Sequence, residues 1–182
     1  MSHSKKVILF LTVAFSFGIG TTLYYYQNVE RGPIYTFNAD RDTKEIMDIF
    51  HKNWYWLLAS EHSSPAFMIK NRTHDANPMH FGSLHIKVLR ENNRLAAFAA
   101  YFMENPTEGR LLFLAVDQDF RGKGYGKLLA QHAMSELFKM GATHIALWTR
   151  VANIPAQRIY KDLGFKEAFE DNGYIFFEYW PE

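Results

Sequence analysis

Residues 7–26 read VILFLTVAFSFGIGTTLYYY, a run without charge that follows Lys5 and Lys6. A helix of that length just crosses a bilayer core of ~30 Å at ~1.5 Å per residue. Tyr24, Tyr25 and Tyr26 would then sit at the far interface. The other reading is a cleaved signal peptide, with the two lysines as its basic region and Gly18 and Gly20 before the cleavage point. The retained anchor is favoured, because the apolar run continues past the glycines. Residues 1–31 are therefore read as a membrane or signal segment with a short linker, and residues 32–182 as one domain.

From Gly32 onward the pattern is that of a soluble chain. A first strand is predicted at residues 34–37 and a helix at 40–50, where Ile46, Met47 and Phe50 share a face. Residues 51–81 mix Trp54, Tyr55 and Trp56 with a polar run, and read as irregular helix and loop. Core packing is the favoured role for those three aromatics, and lining an acceptor pocket is the alternative. Leu84, Ile86 and Val88 alternate with His85 and Lys87, and Glu91-Asn92-Asn93 turns the chain into a second strand at 95–103. The unbroken apolar run 111–116 predicts a central strand covered on both faces. Leu129, Ala133, Leu137 and Met140 make one helical face, closed by Gly141. A short strand at 145–148 leads to a helix that opens on Pro155, presents Ala156, Ile159, Tyr160 and Leu163 together, and stops at Gly164. Residues 174–180 form a last aromatic strand.

The chain is 48% hydrophobic and 21% charged, ordinary globular values, so one packed domain after the N-terminal segment is expected. A net charge of +1, with the two signs interleaved, excludes a nucleic-acid footprint. The absence of cysteine excludes a disulfide framework, a thiolate metal site and a cysteine nucleophile.

The chemistry concentrates after the central strand. Arg121-Gly122-Lys123-Gly124-Tyr125-Gly126-Lys127 puts three glycines and three cations at the start of a helix. Bare backbone N–H groups and the helix dipole there favour a phosphate or pyrophosphate. A Walker-type loop would need glycine at Arg121 and a hydroxyl at Leu128, and a dinucleotide fingerprint would need glycine at Lys127. Neither fits.

Arg121, Gly124 and Gly126 after a strand ending in Val116 resemble the coenzyme A pyrophosphate loop, Arg-x-x-Gly-x-Gly, of the GNAT superfamily of N-acyltransferases. Asn153, Ala156, Tyr160, Gly164 and Phe165 resemble that family's second signature, Asn-x-x-Ala-x-x-x-Tyr-x-x-x-Gly-Phe. The resemblance is specific over residues 111–165, compatible over 34–103 and absent from the first thirty. It implies a mixed α/β fold, with a largely antiparallel sheet flanked by helices and splayed at the central strand. It further implies acetyl-CoA as acyl donor and an amine-bearing acceptor. Backbone of Leu114, Ala115 and Val116 would meet the pantetheine and thioester. Gly122, Lys123, Gly124, Tyr125, Gly126 and Lys127 would wrap the pyrophosphate, Asn153 would touch the cofactor arm, and Tyr160 would serve as general acid beside the sulfur.

Two positions where relatives often hold a glutamate base correspond to Arg110 and Trp148. Glu104 and Glu108 are the nearest carboxylates in sequence, solvated turn positions are an equal reading for them, and an ordered water is an equal route. The missing glutamates leave a second function open, a membrane-tethered coenzyme A-binding module without turnover. His74, His80 and His85 match no common metal-ligand spacing, and with His132 they read as surface residues, so no metal is expected. The two N-terminal lysines favour a cytoplasmic N-terminus. The need for acetyl-CoA outweighs that small bias and places the catalytic domain on the side that contains the donor.

Overall fold

The computed structural model describes residues 34–58 and 83–181. The apolar segment 7–26 and both His74 and His80 lie outside the described residues. Among those described, no helix is long and apolar enough to cross a membrane.

Strand β1 (Ile34–Thr36) leads into helix α1 (Ala39–Leu57). The helix starts where Asn38 caps it: the Asn38 side chain accepts from the Arg41 N–H at 3.0 Å, and the Asp42 carboxylate accepts from the Asn38 N–H at 2.8 Å. Ile46, Ile49 and Phe50 form its buried stripe. The helix runs past the predicted end at residue 50 and breaks its helical geometry at Asn53, whose φ is −126°. Beyond that kink Trp54, Tyr55 and Trp56 are 44%, 43% and 42% exposed. Core packing is thus overturned for them: beyond the kink Leu57 and Leu58 carry the packing and the three aromatics face outward.

Three strands follow as a meander: β2 (His85–Glu91), β3 (Arg94–Met103) and β4 (Glu108–Val116). Asn92 and Asn93, both at positive φ, make the tight turn that the sequence announces. Helix α2 (Tyr125–Lys139) buries Leu129, Ala133 and Leu137 completely, while Met140 is 37% exposed and falls off the predicted face. Gly141, at φ +106°, ends it, with the Ala142 N–H donating to Leu137 O. Then come β5 (His144–Arg150), helix α3 (Ile154–Asp162) and a hairpin of β6 (Lys166–Asp171) and β7 (Tyr174–Tyr179). The sheet order is β1-β2-β3-β4-β5-β7-β6, and every neighbouring pair is antiparallel except β4 with β5. This is the mixed, largely antiparallel sheet expected.

Helix α1 covers one face of the first half of the sheet, where Phe50 meets Phe98 at 5.3 Å and Phe113 edge-on at 5.0 Å. Helices α2 and α3 cover the other face, bringing their Leu129, Leu137 and Tyr160 into one cluster with Ala97, Leu147 and Phe177 of the sheet. The expectation that 111–116 is covered on both faces is corrected. Leu111, Phe113 and Ala115 are buried, but Leu112, Leu114 and Val116 are only half-buried. The reason is the loss of β5 as a neighbour, described below.

An ion-pair cluster fixes α1 to the sheet. Asp42 is fully buried and takes Arg90 at 2.8 Å and Arg41 at 2.7 Å, while Arg90 also reaches Glu45 at 2.7 Å. Burial alone would push the Asp42 carboxyl up. Hydrogen bonds from Arg41 and the Asn38 N–H, with the charges of Arg41 and Arg90, hold it below its usual range instead. A depressed carboxyl contributes stability that is present above its unfolded pKa of ~3.9 and is lost as pH falls through the folded value. Asp42→Asn is therefore expected to cost about 2 kcal/mol at pH 7. The gap between variant and parent should narrow as pH falls below about 4, the lower end of the carboxylate range. Urea melts of both proteins at pH 7 and pH 3 check this, and a gap independent of pH would contradict it.

Candidate active site

Strands β4 and β5 pair only where Glu108, Gly109 and Arg110 face His144, Ile145 and Ala146. Beyond that point the two strands part. The β3–β4 register shifts there as well: Tyr101 faces Leu111 and Ala100 faces Phe113, so Leu112 is an extra residue without a partner on β3. The opening holds two adjoining cavities, of about 420 and 550 Å³, that share Trp56, Leu57, Leu114, Asn153 and Ala156 as walls.

The larger cavity ends at the glycine-rich loop. Gly122 and Gly124 both take φ +79°, a left-handed conformation that side chains rarely adopt, and Gly124 is the N-cap of α2 with no side chain to cap it. First-turn backbone donors are thus left to whatever lies in the groove. Gly126 is needed for closeness of another kind, since a Cβ there would stand 3.1 Å from Ile159 Cδ1 of α3. Leu114, Ala115, Val116, Arg121, Gly122, Gly124, Tyr125, Gly126, Lys127 and Asn153 all line this cavity. They are the residues the sequence singled out for the donor, with one exception.

The exception is Lys123. Its ammonium lies 2.9 Å from Glu91 on β2 and over the Phe120 ring. The Tyr125 hydroxyl donates to the same Glu91 at 2.7 Å. That bond, then the one from Lys123, holds the Glu91 carboxyl below its ordinary range. The other two cations are also engaged. Arg121 donates to Asn53 Oδ1 at 2.6 Å and to Val116 O at 3.4 Å, and Lys127 is 3.4 Å from Asp162 across solvent. Arg121 therefore ties the loop to the kink of α1. Asn53 completes that tie by donating to Ile49 O at 2.8 Å. Asn153 has a structural duty as well, accepting from the Ala156 N–H at 3.4 Å as N-cap of α3.

The smaller cavity contains Tyr160, projected from α3 and held between Phe165 and Phe177, each 5.9 Å away. Tyr160 is only 6% exposed, and burial pushes its phenol above the ordinary value, which keeps it a protonated donor. Trp148, where the resemblance implies a glutamate, lines this cavity at 43% exposure. Glu104 and Glu108 line neither cavity. Both are paired with Arg110, at 3.3 and 2.7 Å, around the turn that closes β3 onto β4. Their candidacy as bases ends there. Asp171, at the end of the β6–β7 hairpin, is the carboxylate that lines the cavity among the described residues, and the sequence reading did not pick it out. Its signal was the Asn172-Gly173 turn, which takes φ 47° and 79° and fixes a hairpin.

His85 stacks on Tyr101 at 5.6 Å, and burial holds the His85 and His132 imidazoles below their ordinary value. Among the described residues, no group of three histidine, aspartate or glutamate side chains is placed to hold a metal ion.

The model of the Acetyltransferase (GNAT) family matches residues 43–165. The [ribosomal protein bS18]-alanine N-acetyltransferase of Escherichia coli (strain K12) is 38% identical over 80 residues, which cover 44% of this chain and 53% of that protein. The match thus spans about half the length of that relative. The Salmonella typhimurium protein of the same description is 32% identical over 120 residues, or 62% of this chain and 80% of that one. Two solved structures share the fold. The ribosomal-protein-S18-alanine N-acetyltransferase from Escherichia coli has a TM-score of 0.61 at 24% identity, covering 80% of this chain and 91% of its own. The PaiA N-acetyltransferase from Thermoplasma acidophilum, in complex with coenzyme A, has a TM-score of 0.65 at 16% identity, covering 82% and 98%.

Proposed function

The chain belongs to the GNAT family of acetyltransferases and is an acyltransferase, and from that premise we propose that it moves the acetyl group of acetyl-CoA to a primary amine. The observation that carries this reading is the cleft between β4 and β5, which runs from an uncapped helix N-terminus to a buried phenol.

The loop at residues 121–127 receives the pyrophosphate, and the half-open edge of Leu114, Ala115 and Val116 receives the pantetheine arm. Leu112 and Leu114 line the cavity that holds Tyr160, so the thioester carbon reacts there and backbone N–H groups of β4 stabilise its oxyanion. The neutral amine attacks that carbon, the C–S bond breaks, and coenzyme A leaves as a thiolate. The nitrogen gives up a proton and the sulfur gains one, so the products are the acetamide and the free thiol. Burial raises the Tyr160 phenol from its ordinary ~10, further above the ~8.5 of a thiol, so it acts chiefly by donating a hydrogen bond to the departing sulfur.

Thiol release from acetyl-CoA, measured with a panel of amines, tests the reading. The panel includes a peptide with terminal alanine, because the matched curated relatives are described as alanine N-acetyltransferases. Release that depends on an added amine, with the acetylated amine found by mass spectrometry, is expected. Release that is the same with and without every amine would overturn the proposal.

A further inference from the structure

The cavity around Tyr160 carries a simple charge inventory. Its charged lining residues are Arg150 and Asp171. Arg150 is already committed: its guanidinium donates to Tyr55 O and, at 3.0 Å, to Leu58 O, and lies between the rings of Tyr55 and Tyr174 at 4.3 and 4.7 Å. Asp171 is bonded by the side-chain amide of its exposed neighbour Asn172, at 3.0 Å, and its carboxylate keeps further acceptor positions. A rigid two-residue turn fixes it opposite Tyr174 in the ladder.

Beside this mouth the sheet offers an aromatic surface. Trp148 packs on Phe176 at 4.8 Å and on Phe169 at 5.4 Å, and the last two meet at 5.1 Å. Trp148 and Phe169 remain 43% and 52% exposed, and Trp148 is at once a wall of the cavity. A contiguous exposed aromatic cluster that opens into a reaction cavity marks a recognition surface.

We propose that Asp171 receives the ammonium group of the acceptor and that Trp148, Phe169 and Phe176 take the apolar group next to it. The acceptor is then a monoamine on an apolar body. A polyamine would need further carboxylates, and a free amino acid would need an uncommitted cation for its carboxylate; the described lining supplies neither. This rests on the acetyltransferase reading, and names the acceptor class that the reading leaves open.

The test uses the full chain with acetyl-CoA and four acceptors: 2-phenylethylamine, alanyl-phenylalanine amide, spermidine and free phenylalanine. The first two should exceed the others at least tenfold in kcat/KM, and the better of the two tells whether the source is a small amine or a peptide terminus. Asp171→Asn should raise the amine KM roughly tenfold, the scale of one modest ionic contact. Its kcat should stay within a few-fold and its coenzyme A affinity should not move, while Asp171→Glu should recover part of the loss. An unchanged amine KM in Asp171→Asn, or spermidine or phenylalanine as the best acceptor, overturns the proposal. No turnover by the parent with any amine would instead strike the acetyltransferase reading on which it rests.

Discussion

Gly124→Glu is expected to remove coenzyme A binding, with a loss of at least ~100-fold, because a carboxylate would stand at the positive end of a helix where a pyrophosphate belongs. Gly124 is the N-cap of α2 at φ 79° and ψ 7°, so any side chain there also pays a left-handed backbone cost of about 1–2 kcal/mol. Gly124→Ala carries that cost without the charge and serves as the control. Isothermal calorimetry of the parent and both variants, with thermal melts to confirm folding, reads the outcome. Alanine should weaken binding modestly and glutamate should abolish it. If glutamate binds as the parent does, the loop is not the phosphate site.

The second large effect is on rate. Tyr160→Phe deletes one oxygen and keeps the ring between Phe165 and Phe177, so the fold should survive and turnover should fall by ~10²-fold. Coenzyme A affinity should stay nearly constant, since the phosphate loop lies in the neighbouring cavity. The pH profile supplies a further check. Burial raises the phenol, so it remains protonated through the range in which the amine loses its proton, and the parent's rate should climb with pH without an alkaline fall due to Tyr160. Unchanged turnover in the variant would leave the residue a packing role alone.

Local signals carried most of the fold. The Asn92-Asn93 turn, the glycine that stops α2 and the proline in the first turn of α3 act within a few residues of chain, and the sequence shows all of them. Helix α1 escaped past Phe50 because Asn53 breaks the periodicity there. Strand β6 escaped because it reads KEAFED and every one of its residues is exposed, so only its pairing with β7 makes it a strand. The proposed donor groove was legible as backbone, in glycines and a helix start, but its side chains were not. Lys123 turns to Glu91 and Arg121 to Asn53, partners 32 and 68 residues away. Asp171 reaches the cavity through a hairpin meeting a gap between two other strands, a coincidence of distant segments that no spacing encodes.

The three-residue contact between β4 and β5 has a bearing on how the chain assembles. Strands β2, β3 and β4 close through local turns, as do β6 and β7, so each group is cheap in loop entropy. The parallel junction must wait for α2 to cross over, and it then gains little ladder of its own. The proposed catalytic cleft is therefore the seam between two early-forming units, expected to be the last part to dock and the first to separate. A donor molecule bridging that seam joins the units from both sides, so ligand binding and the final cooperative step of folding draw on the same contacts.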